Sequence, residues 1–146
     1  MPDPEPFSNV HRHQFEVTEE VIDGNGHVNN VAYVQWMQDV AIRHFDSLGG
    51  TDLMDAHGAA WVARSHHIEY LRPVFAGEHL ELRTWVVDME RATSRRGYEF
   101  VRLTDGAMVA NGETHWVFVD AARGRPKRIP EEMKRRLQEN ARRVGG

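Results

Sequence analysis

The sequence predicts an α+β fold: a curved antiparallel sheet wrapped around one long central helix. Two observations carry that prediction. Between Val21 and Leu48 a turn rich in Asp, Asn, Gly and His runs into the longest helical pattern of the chain, and from Ala60 to Asp120 the hydrophobic period drops to two. A single helix with a wide apolar face needs a sheet to bury it, and the strands that follow supply one.

The elements follow in order. Residues 1–9 read as a disordered lead. His13 to Thr18 alternates Phe15 and Val17 with polar neighbours, as a short strand does. In the helix, Gln35, Gln38, Asp39, Arg43 and Asp46 recur every three or four residues opposite Tyr33, Val34, Met37, Val40, Ala41, His44, Phe45 and Leu48, and Gly49-Gly50 closes it. Residues 49–59 form a Gly-punctuated connection with a short helical turn around Leu53 and Met54.

Trp61 to Arg72 is a strand ended by Pro73, which has no N–H to donate. His79 to Met89 sets Leu80, Leu82, Thr84 and Val86 on one face, and Thr93 to Leu103 does the same with Tyr98 and Phe100. After the hairpin turn Thr104-Asp105-Gly106, Ala107 to Asp120 returns with Met108, Ala110, Thr114, Trp116 and Phe118 on one side. Asn111-Gly112 reads as a bulge or bend in that strand. Pro130 to Arg143 is a polar helix anchored by Met133, Leu137 and Ala141. Trp85, Val87, Val117 and Val119 lie on the opposite strand faces and predict a second subunit over them, in a homodimer or homotetramer.

A length of 146 residues fits one domain spanning 1–146. Zero cysteines remove disulfides, thiolate metal sites and any Cys nucleophile. The start of the chain lacks a signal-peptide pattern and no window approaches a membrane span, so a soluble, cytoplasmic protein is expected. The net charge of -4 conceals an asymmetry, because residues 123–146, a basic extension, hold nine of the 18 Lys and Arg but three of the 22 Asp and Glu. A solvated helix is the simpler reading of that tail, and a landing strip for a phosphate-bearing ligand the sharper one. No metal-ligand spacing occurs: His66 and His67 are adjacent on a strand and point to opposite faces. Nucleic acid is not an expected partner.

The turn before the helix carries the candidate chemistry. Asn29 or Asn30 stands at the N-cap, so Asp23, Asn25 and His27 are delivered to the end where unpaired N–H groups and the positive dipole end gather. A developing oxyanion is stabilised there. Asp23 is otherwise a turn-forming residue, and Asn25-Gly26 an ordinary turn dipeptide.

The run Asp23-Gly24-Asn25-Gly26-His27-Val28-Asn29-Asn30-Val31, with Tyr33 following, resembles the D-x-N-x-H-V-N-N-x-x-Y segment of acyl-ACP thioesterases and the D-x-x-G-x-V-x-x-x-x-Y segment of 4-hydroxybenzoyl-CoA thioesterase-like families. Glu69 to Val74, Gly77-Glu78 and Arg83 to Val86 resemble strands of the bacterial acyl-CoA thioesterase group. The resemblance covers about His13 to Asp120 and implies the hotdog fold.

What it implies for function is a thioester hydrolase of acyl-CoA or acyl-ACP, within fatty acid metabolism. Asp23 matches the family's carboxylate, nucleophile or general base. Asn25 and His27 match residues that orient water and tune that carboxylate, and the Asn30 backbone N–H matches the donor to the thioester carbonyl. No cofactor is implied, coenzyme A being part of the substrate. Asn25 and His27 replace the small or aliphatic residues usual in the coenzyme A branch, and the extra domain half of plant acyl-ACP enzymes is missing. Hotdog hydratases separate Asp and His by five in D-x-N-P-x-H, whereas Asp23 and His27 are four apart without the Pro. That hydratase activity, or acyl-CoA binding without catalysis, is the alternative.

Overall fold

The structure, a computed structural model, describes residues 6–145, with side chains through Gln138. Strand β1 (His11–Glu16) leads into helix α1 (Asn30–Ser47), and a short helix α2 (Gly50–Ala56) follows. Then come β2 (Ala59–Tyr70), β3 (His79–Met89), β4 (Thr93–Arg102), β5 (Met108–Asp120) and helix α3 (Glu131–Gly145). The five strands form one antiparallel sheet in the order β1-β3-β4-β5-β2, with α1 against one face. This is the hotdog arrangement that the resemblance implied.

Helix α1 starts where Asn29 accepts the Val31 N–H on its side-chain oxygen at 2.9 Å, and it stops before Gly49, whose φ of 73° suits a residue without Cβ. Its buried stripe is Tyr33, Met37, Val40, Ala41, His44 and Phe45, the spacing expected of a helix laid on a sheet. The packing divides in two along its length. Around the N-terminal half, Tyr33, Met37 and Val40 meet Leu80, Leu82, Phe100 and Ala110. Around the C-terminal half, Phe45, Phe118, Ile129 and Met133 form a second cluster, edged by Met54, Trp61 and Met89. Met133 and Leu137 anchor α3 as expected, while the third predicted anchor, Ala141, lies outside the described side chains.

Three expectations are corrected. Strand β5 stays in register through Asn111 and Gly112, which pair with Glu99 and Tyr98; its bulge falls at Val109, skipped between the pairs Phe100–Ala110 and Val101–Met108, while β2 and β3 bulge at Arg64 and Val87. Gly112 serves a close approach instead, since a Cβ there would lie 2.9 Å from the His67 carbonyl oxygen and 3.1 Å from Met37 Cε. The expected disordered lead ends before Ser8, which is fully buried and accepts the Val86 N–H on Oγ at 2.7 Å; its residues 1–5 lie outside the described ones. Val117 and Val119 are already buried within the chain, Val119 being bridged to Pro126 as the segment after β5 folds back. Those two valines therefore offer no face for a second subunit to cover. No described helix is long and apolar enough to cross a membrane.

Candidate functional site at the mouth of the central helix

The turn before α1 is closed by its own backbone. Ile22 and Val28 form an antiparallel bridge, and between them the Asp23 N–H donates to the His27 carbonyl at 3.0 Å. Asp23 and His27 thus stand opposite one another, with Asn25 exposed at the tip. The turn is pinned beneath the helix because the Val28 N–H donates to the Val74 carbonyl and the Asn29 N–H to the Val21 carbonyl, at 2.9 and 2.8 Å. Val28, 3% exposed, plugs the gap. Since Val21 is bonded to Asn29, the half-buried Asp23 two residues on is held at the helix mouth.

The first-turn amides are not equivalent. The Val31 N–H is taken by the Asn29 side chain and the Ala32 N–H donates to the Asn29 carbonyl at 3.0 Å. The Asn30 N–H has no acceptor among the described residues, leaving a donor at the positive end of the helix dipole. The Asp23 carboxylate accepts the Asn25 N–H on Oδ1 at 2.9 Å, the turn-forming bond open to any Asp here, and Oδ2 receives no donor among the described residues. One oxygen shapes the loop and one remains available. The His27 ring meets Phe75 edge-on at 6.4 Å, and the Tyr70 hydroxyl donates to the Asn30 carbonyl at 3.2 Å.

Large apolar side chains are exposed around this mouth. Val31 is 71% exposed, Phe75 47% and Tyr70 45%, an uncovered apolar surface beside a carboxylate and a free amide. Such a surface accommodates the apolar part of a ligand whose carbonyl oxygen reaches the amide. The structure thus gathers Asp23, His27 and Asn30 at one end of α1 and leaves Asn25 at the solvent-facing tip.

Other candidates lie elsewhere. His66 faces α1, its Nδ1 2.8 Å from Thr114 Oγ1 and its Nε2 3.5 Å from Gln38 Nε2, whereas His67 is exposed. Burial lowers the His66 pKa. Among the described residues no three His, Asp or Glu side chains gather as metal ligands would. In the basic segment after β5, Lys127 donates to the His57 carbonyl and Arg128 lies 3.9 Å from Glu131.

One cluster escaped sequence reasoning. Arg96 of β4 is 5% exposed, its Nη1 2.8 Å from His44 Nδ1 and 3.3 Å from Thr84 Oγ1. Because a guanidinium only donates, His44 Nδ1 must accept, and the Nε2–H then donates to Asn9 Oδ1 at 2.9 Å. Burial, reinforced by Arg96 and His11, drives the His44 pKa down to about 3, so the imidazole is neutral. Burial lowers Arg96 to about 10, which leaves it charged near neutral pH. The available signal was strand phase: Arg96 alternates with Ser94 and Tyr98, both buried.

A family model described as the thioesterase-like superfamily matches residues 17–137. No curated protein matches the chain in sequence. Among solved structures it is similar to the hypothetical protein SAV2348 from Staphylococcus aureus, in complex with CoA, at 18% identity over 97% of this chain and 89% of that one, with a TM-score of 0.83. It is similar to the probable thioesterase YbaW from Escherichia coli at 19% identity over 89% and 98% of the two chains, TM-score 0.80. A DHNA-CoA thioesterase from Staphylococcus aureus shares 19% identity over 93% and 91%, TM-score 0.78. At these identities the structural likeness is one of fold, and the family assignment rests on the sequence match over most of the chain. By that match, the chain with the bridged Asp23 turn under its central helix belongs to the thioesterase-like superfamily.

Proposed function

We propose that the protein hydrolyses an acyl thioester, with acyl-CoA as the favoured substrate and an acyl carrier protein thioester as the alternative. One observation carries the reading: a carboxylate with one oxygen undonated and an amide without an acceptor share a helix mouth, beside exposed Val31, Tyr70 and Phe75. Membership of the thioesterase-like superfamily supports it, as do structurally similar proteins that bind CoA or are named for cleaving a CoA thioester.

In this reading the Asn30 N–H holds the thioester oxygen as negative charge develops on it. Asp23 acts on the carbonyl carbon in one of two ways. As general base it takes a proton from water, whose oxygen adds to the carbon; the C–S bond then breaks, and the thiolate takes up the proton. As nucleophile its free oxygen adds to the carbon and the C–S bond breaks, expelling the thiolate and leaving a mixed anhydride. Water then adds at the Asp23 carbonyl carbon, the acid leaves as its carboxylate, and the proton released goes to the thiolate. Under either route His27, across the bridged turn from Asp23, relays the proton, and Asn25 orients the water at the loop tip. Hydrolysis in oxygen-18 water under single turnover tests the nucleophilic route: water attack at the Asp23 carbonyl of the anhydride leaves label in the Asp23 carboxylate, whereas the general-base route places it in the product acid.

A second copy of the chain completes the proposal. Strand β2 is a sheet edge of 12 residues with most side chains half or fully exposed, Val62 at 45% among them. A long exposed edge favours pairing with another strand. We therefore propose a homodimer or a homotetramer built from such dimers, checked by light scattering at micromolar concentration, where a monomer would contradict it.

The functional test is a panel of acyl-CoAs assayed for free thiol. Steady thiol release supports hydrolysis. Loss of enoyl absorbance from an enoyl-CoA without thiol would show a hydratase, and tight binding with no turnover over hours a binding protein.

A further inference from the structure

A chamber of about 310 Å³, open to solvent on one side where Ile42 is exposed, lies under the C-terminal half of α1, and Arg96 forms part of its wall. The remaining wall is largely apolar, with Ile42, Phe45, Met54, Trp61 and Trp116 the chief contributors. It is separate from the helix mouth: Ala41 sits roughly 16 Å along the helix from Asn30 at 1.5 Å per residue, with the fully buried Met37 and Val40 between.

The charge in that wall has no counter-ion. Arg96 Nη1 is taken by His44 and Thr84, both neutral, and no described carboxylate lies within ion-pair distance of the guanidinium. Its Nη2 and Nε donors have no described acceptor. The buried carboxylate Glu81 shows the contrast, with Arg83 at 2.6 Å and Arg12 at 3.0 Å. Buried charges are normally paired, and an unpaired guanidinium beside an apolar hollow has the chemistry of a site awaiting an anion with an apolar body.

We propose that the chamber binds an apolar monocarboxylic acid, its carboxylate on Arg96 and its hydrocarbon against Ile42, Phe45, Trp61 and Trp116. At roughly 30 Å³ per water-sized unit, the chamber holds about ten such units, which sets a medium-chain acid as the size class. Planarity of the guanidinium favours a carboxylate held by two parallel bonds. This site requires neither Asp23 nor turnover.

The test is calorimetric titration with octanoate and with 1-octanol, a neutral molecule of the same length. The wild type is expected to bind octanoate at least tenfold more tightly than octanol. Arg96→Met should bring the two within about twofold of one another. Thr51→Phe, which fills the chamber from α2 and leaves Arg96 in place, should weaken octanoate at least tenfold. Asp23→Ala should bind octanoate as the wild type does, which separates this inference from the hydrolase reading. No octanoate binding at millimolar concentration, equal affinity for both ligands, unchanged binding by Thr51→Phe or loss of binding in Asp23→Ala would each overturn it. Should Arg96→Met fail to fold, the ligand pair and the Thr51 variant decide.

Discussion

The two halves of α1 rest on the same sheet in different ways. Toward the N-terminus, Tyr33, Met37 and Val40 are at most 3% exposed and fill the space down to Leu80, Leu82 and Phe100. Toward the C-terminus, the helix packs Phe45 into the smaller cluster with Phe118, Ile129 and Met133, spans a partly open hollow and meets the sheet through His44 and Arg96. The packed half is a platform that fixes the turn before the helix, and a site that must hold a carboxylate and an amide in register needs such support. The open half leaves apolar area and one charge unsatisfied, so it carries less of the fold's stability and more room for a ligand.

Substitutions should separate the halves. Met37→Ala, fully buried in the platform, is expected to destabilise by about 2–5 kcal/mol, while Ile42→Ala, 61% exposed at the chamber, should stay within about 1 kcal/mol in urea unfolding. Similar losses at both positions would erase the distinction. Gly112→Ala forces a Cβ against the His67 carbonyl and Met37, and a loss of about 1–3 kcal/mol is expected in the same experiment.

The polar seam of the open half should show in pH dependence. His44 is depressed from 6.5 to about 3 on folding, so the unfolded chain binds more protons below pH 6.5 and stability falls as pH falls toward 3. This one group contributes a slope of up to about 1.4 kcal/mol per pH unit. His11, His13 and His66 are lowered too, burial being the main cause, and add in the same direction. Glu81 is held at about 2 by donors from Arg83, Gln14 and Arg12, so its contribution is lost only below 4.5. The window from 6.5 to 5 therefore belongs to the histidines, and His44→Gln, which keeps an acceptor for Arg96, should flatten it. An unchanged slope would show that His44 does not titrate in that window. A modest effect is expected of Asn29→Ala, which removes the cap from the Val31 N–H and should lower stability by about 1 kcal/mol in urea unfolding.

The platform was legible in the sequence and the open half was not. Helical spacing from Tyr33 to Phe45 and alternation in β3 and β5 report local periodicity, which burial on one face imposes directly. The turn was legible because Asp23, Asn25, His27 and the cap lie within a few residues, so their proximity is a property of the local chain. Arg96 and His44 meet across 52 positions of sequence, and a charged residue in a strand reads as solvated until its phase is compared with Tyr98 and Phe100. Gly112 misled for a related reason: Asn-Gly is a turn signal locally, but here the glycine makes way for Met37 from a distant helix. Val117 and Val119 read as needing a partner because the fold-back after β5, which bridges Val119 to Pro126, leaves no periodic trace.

The most direct measurement is the rate of thiol release from an acyl-CoA turned over by the wild type, compared with Asp23→Asn. The amide keeps an oxygen to accept the Asn25 N–H, so the turn and the melting temperature should be retained while the negative charge is removed. A fall of roughly 10³-fold in kcat/KM at unchanged stability is the predicted result. Thiol release by the variant at the wild-type rate would contradict the account.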